Sequence, residues 1–194
     1  SGVLTSEVFS SLKVKKSLVA SMHPAQTFTK LSISNNHLLR GIYFGLEGGS
    51  EAIKVLKMLI KVLNSNSVIF SKSKKSLYHL GCVVSSNFLA ANFYVLKLFS
   101  KELGISEKKF TKIMFPLFST TAKNIFKDGV IGSLTGPVIR GDITTIKTHI
   151  NLLHSKFPNF IEYYKVVSNI LTKVSLKQNK QFNHKKITDI LNNE

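Results

Sequence analysis

The stretch GIYFGLEGGSEAIKVLKMLIKVLNSNSVIF, residues 41–70, has the pattern of a strand, a glycine turn, a helix and a second strand. Its mostly apolar first residues and the later SVIFS are typical of short buried strands. Ser50 is placed to cap the helix between them. That helix has a lysine face and an apolar face, the latter formed by Ile53, Leu56, Leu59, Ile60 and Leu63. The alternation of strand and helix predicts an α/β layer.

Upstream, SLVASM predicts another short strand, which ends at HPAQTF because Pro24 cannot donate a ladder hydrogen bond. A short helix is predicted before it, over residues 5–16. Downstream of about residue 72 the strand patterns stop and helical patterns follow. A long helix is predicted to end at Gly104, Pro116 marks a kink or break in the next, and Asp142 is the expected N-cap of another. We therefore predict a domain boundary near residue 70, and a loosely held polar tail over residues 177–194.

Composition limits the possible functions. The chain has 194 residues, 43% of them hydrophobic, enough to bury a core, and a formal net charge of +17. The positive charges are lysines scattered along the chain, apart from Arg40 and Arg140, so they indicate a basic solvated surface and not a nucleic-acid interface. Cys82 is the single cysteine, which excludes an internal disulfide and predicts a buried inert thiol in a cytoplasmic protein. Because the chain begins with Ser, we expect a piece of a longer one.

The segment LYHLGCVVSSNFLAANFYVL, residues 77–96, is long enough to span a bilayer and carries no charged residue. It contains several polar residues that are costly in lipid, namely His79, Ser85, Ser86, Asn87 and Asn92. We therefore expect a helix that is buried on most sides within a soluble domain, and no membrane span.

Two motifs of cofactor or metal sites are missing. GLEGGSEA lies between a strand and a helix but lacks the G-x-G-x-x-G spacing of dinucleotide sites, so it is interpreted as a structural turn. His149 and His154 are five residues apart, which does not place two ligands on one helix face. No metal site is expected.

Polar residues on the long helix are the first candidate site. His79 and Asn87 interrupt an otherwise apolar surface, and a buried polar group without a partner costs about 1–3 kcal/mol. Two interpretations stay open. The residues either form a hydrogen-bonded core network or face a bound substrate.

The segment GSLTGPVIRGDITTIKTH, residues 132–149, is the second candidate. Its glycines and Pro137 predict a tight turn that brings Arg140 to the N-terminus of the helix capped by Asp142. Thr145 and His149 lie four residues apart on one face of that helix. The arrangement offers a cation, backbone N–H groups and a helix dipole to an anion. A structural role, in which Arg140 and Asp142 fix the helix start, is the alternative.

Four stretches resemble a known family: SGVL, HPAQTF, YHLGCVVSSNF and SLTGPVIRGDITTIKTH. The family is that of Rossmann-like NAD(P) oxidoreductases with an uncharacterised helical C-terminal domain. It is similar to pyrroline-5-carboxylate reductase and to the 6-phosphogluconate dehydrogenase C-terminal superfamily, and the resemblance covers residues 1 to about 170. It implies a partial Rossmann-like α/β domain over residues 1–70. An all-α 6-phosphogluconate-dehydrogenase-C-terminal-like domain for dimerisation and substrate would follow over residues 71–176.

The resemblance also implies a function, that of an NADP- or NAD-dependent oxidoreductase acting on a small anionic substrate as a homodimer. The glycine-rich fingerprint is expected upstream of Ser1, so these 194 residues are not expected to bind NAD(P)H with useful affinity. A non-catalytic helical dimerisation or ligand-binding module is the alternative. The resemblance and the residue patterns together give the predicted site residues: His79, Asn87 and His149 as catalytic, His23, Pro24 and Thr27 at the cofactor, and Thr135, Arg140, Asp142 and Thr145 at the substrate.

Overall fold

The computed structural model of the chain describes residues 2–9, 18–30, 37–177 and 184–193. Three short strands form one sheet in the order β1-β2-β3, namely β1 (Ala20–Pro24), β2 (Tyr43–Gly48) and β3 (Asn66–Ile69). β1 runs antiparallel to β2, whereas β3 runs parallel to β2 because helix α1 (Ser50–Val62) lies between them in the chain. The three predicted strands are therefore confirmed. Of the helix predicted over residues 5–16, a 3-10 turn is present at Ser6–Phe9, and residues 10–16 lie outside the described residues.

The two faces of the sheet differ in chemistry because alternate residues of a strand point to opposite sides. On one face Phe44 and Leu46 pack with Ile53 and Ile60 of α1 and form an apolar core. The other face carries the residues between them in the strands, which are Ser21, His23, Gly45 and Glu47. The helix cap differs from the prediction: Gly49 is the N-cap of α1 and Ser50 is its first residue.

Helix α2 (Lys75–Glu102) follows a 3-10 turn at Lys72–Lys74, and Gly104 follows its end with φ of 65°, as predicted for a helix C-terminus. Only Lys75 and Ser100 of this helix are buried. The expectation of a helix buried on most sides is therefore wrong, because many of its apolar side chains between Leu77 and Tyr94 are exposed. By length and composition the segment Lys72–Glu102, which contains an 18-residue stretch with a mean hydropathy of 1.4, could cross a membrane.

The remaining elements are helical. Helix α3 (Glu107–Ser133) continues through Pro116 and is interrupted at Gly129, whose φ is 73°. Four helices follow, which are α4 (Pro137–Arg140), α5 (Ile143–Lys156), α6 (Ile161–Leu176) and α7 (His184–Asn193). Their shared core is aliphatic and consists of Val138, Ile146, Ile150, Ile187, Ile190 and Leu191. Helix α5 thus buries an apolar stripe of helical spacing, formed by Ile146, Ile150 and Leu153.

The C-terminal tail departs from the prediction of a loosely held polar segment. Residues 178–183 lie outside the described residues, but α7 packs on α5 and α6. Ile187 and Leu191 are 0% and 1% exposed. The reason is that Ile187, Ile190 and Leu191 have the spacing of one helix face, so a short apolar stripe anchors an otherwise polar segment.

The described chain forms two compact units, the N-terminal unit (Ser1–Glu107) and the C-terminal unit (Lys108–Glu194). The sheet ends at Ile69, close to the predicted boundary near residue 70, whereas the two compact units divide after Glu107. Helix α2 belongs with the sheet because its first turns contact β2.

Candidate functional site

An open cavity of about 600 Å³ lies in the N-terminal unit, between the end of β1 and the first half of α2. His23 and Thr27 line it from the strand and the following loop, and His79 and Asn87 line it from α2. The structure thus brings together four of the six residues predicted for the catalytic and cofactor groups. Pro24 ends β1 beside them.

A glycine on β2 shapes this cavity. His23 pairs with Gly45 across the antiparallel strands. A side chain at Gly45 would place its Cβ 2.5 Å from the ring of Tyr78, so the absence of a side chain allows that ring to lie on the sheet. The Tyr78 hydroxyl donates to the backbone oxygen of His23 over 3.2 Å, and the rings of Phe70 and Tyr78 are 4.8 Å apart. Tyr78 therefore joins the start of α2 to the end of β1.

His23 is the residue with the most unusual surroundings. Its ring meets those of Tyr78 and His79 edge-on, with centroids 5.8 Å and 5.4 Å apart. The buried Nδ1 atom of His23 has no hydrogen-bond partner among the described residues. Burial, with a further contribution from the charge of His79, lowers the pKa of His23 from its ordinary value. At neutral pH the imidazole is therefore uncharged and able to exchange a proton with a ligand.

Tyr78 and Cys82 form the adjoining wall of the cavity. Burial raises the pKa of Tyr78 to about 12, and the neighbouring Cys82 adds to the shift. The phenol therefore stays protonated and acts as a hydrogen-bond donor at neutral pH. Cys82 is partly exposed and lines the cavity, which corrects the expectation of a buried inert thiol.

The described lining of the cavity includes no Lys, Arg, Asp or Glu side chain. Its polar groups are imidazoles, hydroxyls and amides, including those of Gln26, Ser86 and Asn87. Such groups can hydrogen-bond a carbonyl, imine or hydroxyl and exchange a proton with it. Sequence reasoning missed Tyr78 and Gln26 as lining residues, although both adjoin residues that it named.

The second predicted group lies in the C-terminal unit, at the start of α5. Asp142 caps the helix by accepting from the Thr145 backbone N–H over 3.0 Å and from the Thr145 hydroxyl over 2.7 Å. These hydrogen bonds lower the pKa of Asp142. The Arg140 guanidinium is 3.8 Å from the same carboxylate and 63% exposed. The predicted N-cap is confirmed, and its carboxylate occupies the position where an anion would meet the helix N-terminus.

Two other predicted residues border this helix start. Thr135 is exposed and precedes Gly136, whose φ of 99° lies in a region that glycine adopts readily. His149 lies one turn after Thr145, and its Nδ1 is 3.0 Å from the hydroxyl of Tyr164 on α6. Tyr164 was not predicted, because only the packing of α5 on α6 brings the two residues together.

Comparison with known proteins gives a family and a fold. Residues 42–170 match the model of the family described as domain of unknown function DUF2520. The structure is similar to that of protein TM1727 from Thermotoga maritima, with a TM-score of 0.76 and 32% identity, covering 93% of this chain and 68% of that one. It is also similar to the "putative NADP oxidoreductase BF3122" from Bacteroides fragilis, with a TM-score of 0.71 and 22% identity, covering 88% of this chain and 62% of that one.

The chain thus spans about two thirds of the length of these two structures. No protein of curated function matches it. The likeness to the Bacteroides fragilis protein shows that the small sheet and the following helices share the fold of that structure. The family match covers most of the sheet and both candidate groups on α2 and α5. The chain therefore belongs to the DUF2520 family.

Proposed function

We propose that the chain forms the substrate-binding part of an NADP- or NAD-dependent oxidoreductase that acts on a small anionic substrate. The observation that carries the proposal is the cavity in which His23, Thr27, His79 and Asn87 meet. The fold that contains it is shared with the protein described as "putative NADP oxidoreductase BF3122". An uncharged cavity wall with two imidazole rings fits a nicotinamide ring and the reacting end of a substrate.

When bound, the nicotinamide would supply or accept the hydride. His23, Pro24 and Thr27, at the end of β1, would border its ring. His79 and Asn87 would hydrogen-bond the reacting oxygen or nitrogen of the substrate. A group that receives a hydride at carbon gains negative charge on its heteroatom and then needs a proton, which a protonated histidine at the cavity would supply. His149, in the C-terminal unit, stays a predicted catalytic residue.

In the C-terminal unit, Arg140 is the residue proposed to bind an anionic group. Its exposed guanidinium offers two parallel donors to a carboxylate. Thr135 would add a hydroxyl. Because Asp142 and Thr145 already bond each other, they would hold the helix start that presents Arg140, and the helix N-terminus itself would contribute little. We further propose that the helical part is 6-phosphogluconate-dehydrogenase-C-terminal-like.

A homodimer built on the helical part, in the cytoplasm, completes the proposal. Several large apolar side chains of α2 are about half exposed or more, namely Leu77, Leu80, Val84, Phe88 and Tyr94. A continuous apolar surface of this kind marks an interaction site in a globular protein. Sedimentation at tens of micromolar protein should give a dimer, and Phe88→Glu should give a monomer. The control Leu152→Glu changes an equally exposed leucine of α5, and should leave the dimer intact.

Catalysis is tested by following the absorbance of NADPH and NADH with a panel of small keto and imino acids. Millimolar coenzyme is used because the 194 residues contain no G-x-G-x-x-G motif. His79→Gln and Asn87→Ala should each lower turnover by about 100-fold or more, and His154→Gln on the exposed face of α5 should not. Substrate binding without any turnover would instead support the non-catalytic ligand-binding module.

A further inference from the structure

Two oppositely charged side chains are buried beside the cavity. Glu47 on β2 and Lys75 at the start of α2 are each 2% exposed. Burial of a charge is costly unless hydrogen bonds and an opposite charge compensate it. Burial lowers the pKa of Lys75, and the nearby Glu47 carboxylate opposes that shift. Neither residue is among those that line the cavity. Their role therefore lies in the residues to which they hydrogen-bond.

Both residues hold the segment at the beginning of the chain. The Glu47 carboxylate accepts from the Ser6 backbone N–H over 2.8 Å and from the Ser6 hydroxyl over 2.6 Å. The Lys75 ammonium donates to the backbone oxygen of Leu4 and to the hydroxyl of Ser21. Ser21 is directly opposite Glu47 in the pairing of β1 with β2. Hydrogen bonds from both β2 and α2 thus hold residues 4–6 in place.

The gripped segment reaches the cavity through Gly2. Gly2 is buried, and a Cβ on it would lie 1.8 Å from Cδ2 and 2.5 Å from Nε2 of His79. The backbone at Gly2 therefore lies directly against the edge of that imidazole. Lys75 is one helical turn before His79 on α2, so the lysine and the histidine face the same segment.

We propose that Glu47 and Lys75 are positioning residues, which clamp the segment Gly2–Ser6 against α2 and so fix the orientation of the His79 imidazole in the cavity. The clamp acts through the backbone of Gly2 and touches no ligand. A catalytic role for the oriented His79 imidazole rests on the proposed function. The orientation of the ring by the clamp is independent of that function.

The chain provides a matched control for the buried pair. Lys72 and Glu7 join the same two parts of the molecule, with 2.9 Å between their charged atoms, but their side chains are 53% and 62% exposed. An exposed ion pair of this kind contributes little to structure. Lys72→Met therefore removes a lysine from the same turn without disturbing the clamp.

The orientation is measured by nitrogen–proton correlation NMR of the histidine side chains in the full chain without ligand, with His79 assigned through His79→Gln. The variants are Ser6→Ala, which removes one donor to Glu47, the double variant Glu47→Gln/Lys75→Met, which removes both charges together, and Gly2→Ala. Each should shift the ring resonances of His79 by more than a line width or change its tautomer ratio, while those of His149 stay in place. Lys72→Met should leave both histidines unchanged.

Ser6→Ala keeps both charged residues and the hydrogen bond from the backbone N–H of residue 6 to Glu47, so it should stay folded even if the double variant does not. A folded Ser6→Ala or Gly2→Ala protein with wild-type His79 resonances overturns the clamp. The clamp is also overturned if Lys72→Met shifts the His79 resonances as much as the other variants do. Loss of turnover plays no part in this readout, so the clamp and the proposed function can fail separately.

Discussion

Single residues set the chemistry of the cavity. Two glycines make room for aromatic rings, and one histidine nitrogen is left without a hydrogen-bond partner among the described residues. Gly45 and Gly2 leave room for the rings of Tyr78 and His79, which packs these aromatic groups close to the sheet and to the first residues. The tight packing leaves Nδ1 of His23 without a partner among the described residues. A buried unsatisfied group of this kind costs about 1–3 kcal/mol.

Protonation of His23 should destabilise the fold. Its pKa is lowered in the folded protein from the ordinary value of 6.5, so the unfolded chain takes up the proton first as the pH falls. The stability that this residue contributes is complete above about pH 6.5 and is lost as the pH falls through the lowered folded pKa. Thermal melts followed by circular dichroism should show a smaller loss between about pH 7 and about pH 5 for His23→Gln than for the wild type. Equal losses in the two proteins would contradict the assignment.

Arg140→Lys should weaken anion binding with little change in melting temperature. The substitution keeps the charge but loses the planar fork that holds a carboxylate through two hydrogen bonds. The ion pair with Asp142 is exposed and long, at 3.8 Å, so its loss should hardly affect the fold. Calorimetric titration with small carboxylates measures the first effect and thermal melting the second. If the variant melts several degrees lower and binds anions as before, Arg140 is a structural residue only.

Local chemistry explains which residues could be predicted. The Asp142 cap depends on Thr145, three residues away, and was predictable. The bonds from Ser6 to Glu47 and from Lys75 to Leu4 span 41 and 71 residues. No pattern in the sequence distinguishes Lys75 from the many other lysines, because its burial comes only from the docking of α2 on the sheet.

At the scale of elements, hydrophobic periodicity correctly predicted the strands and the helices α1 and α5. It did not predict burial in α2 and α7, where neighbouring elements determine which side chains are covered. The tail is mostly polar, so the apolar stripe of α7 was not recognised. Helix α2 is mostly apolar, so burial was expected, but the described residues leave much of it exposed. Both errors have one cause. Composition reports which side chains favour burial, whereas only tertiary contacts determine which of them are buried.

Ile187→Ala should destabilise the C-terminal unit by about 2–5 kcal/mol, because the fully buried side chain leaves a cavity between α5, α6 and α7. Urea unfolding followed by circular dichroism measures the change. Ile170→Ala on α6 is the matched control, since that side chain is 54% exposed and its loss should cost little. An equally small effect at both positions would mean that α7 is not part of the folded core.

At the scale of the whole molecule, the chain combines two compact units that each contain one candidate group. The family match and the shared fold support the general resemblance that the sequence motifs indicated. The identity of the substrate, the use of a nicotinamide coenzyme and the formation of a dimer stay predictions. Each depends on a second molecule that binds to this chain.

NADPH should bind this chain little better than its nicotinamide half. The affinity of such folds for a dinucleotide comes largely from a glycine-rich turn that admits the pyrophosphate to a helix N-terminus, and the 194 residues contain no such motif. We expect the dissociation constants of NADPH and reduced nicotinamide mononucleotide to differ by less than about tenfold, or 1.4 kcal/mol. Calorimetry measures both. Micromolar binding of NADPH alone would place a dinucleotide site elsewhere in these residues.

The central claim is that the cavity between β1 and α2 receives the nicotinamide. Its most direct test is a titration of the chain with reduced nicotinamide mononucleotide at millimolar concentration, followed by nitrogen–proton correlation NMR. The account predicts that the perturbed resonances cluster at the cavity, with His23, Thr27 and His79 among the largest shifts, and that Thr27→Trp, which fills its mouth, abolishes them. Shifts confined to other residues, or unchanged by Thr27→Trp, would contradict it.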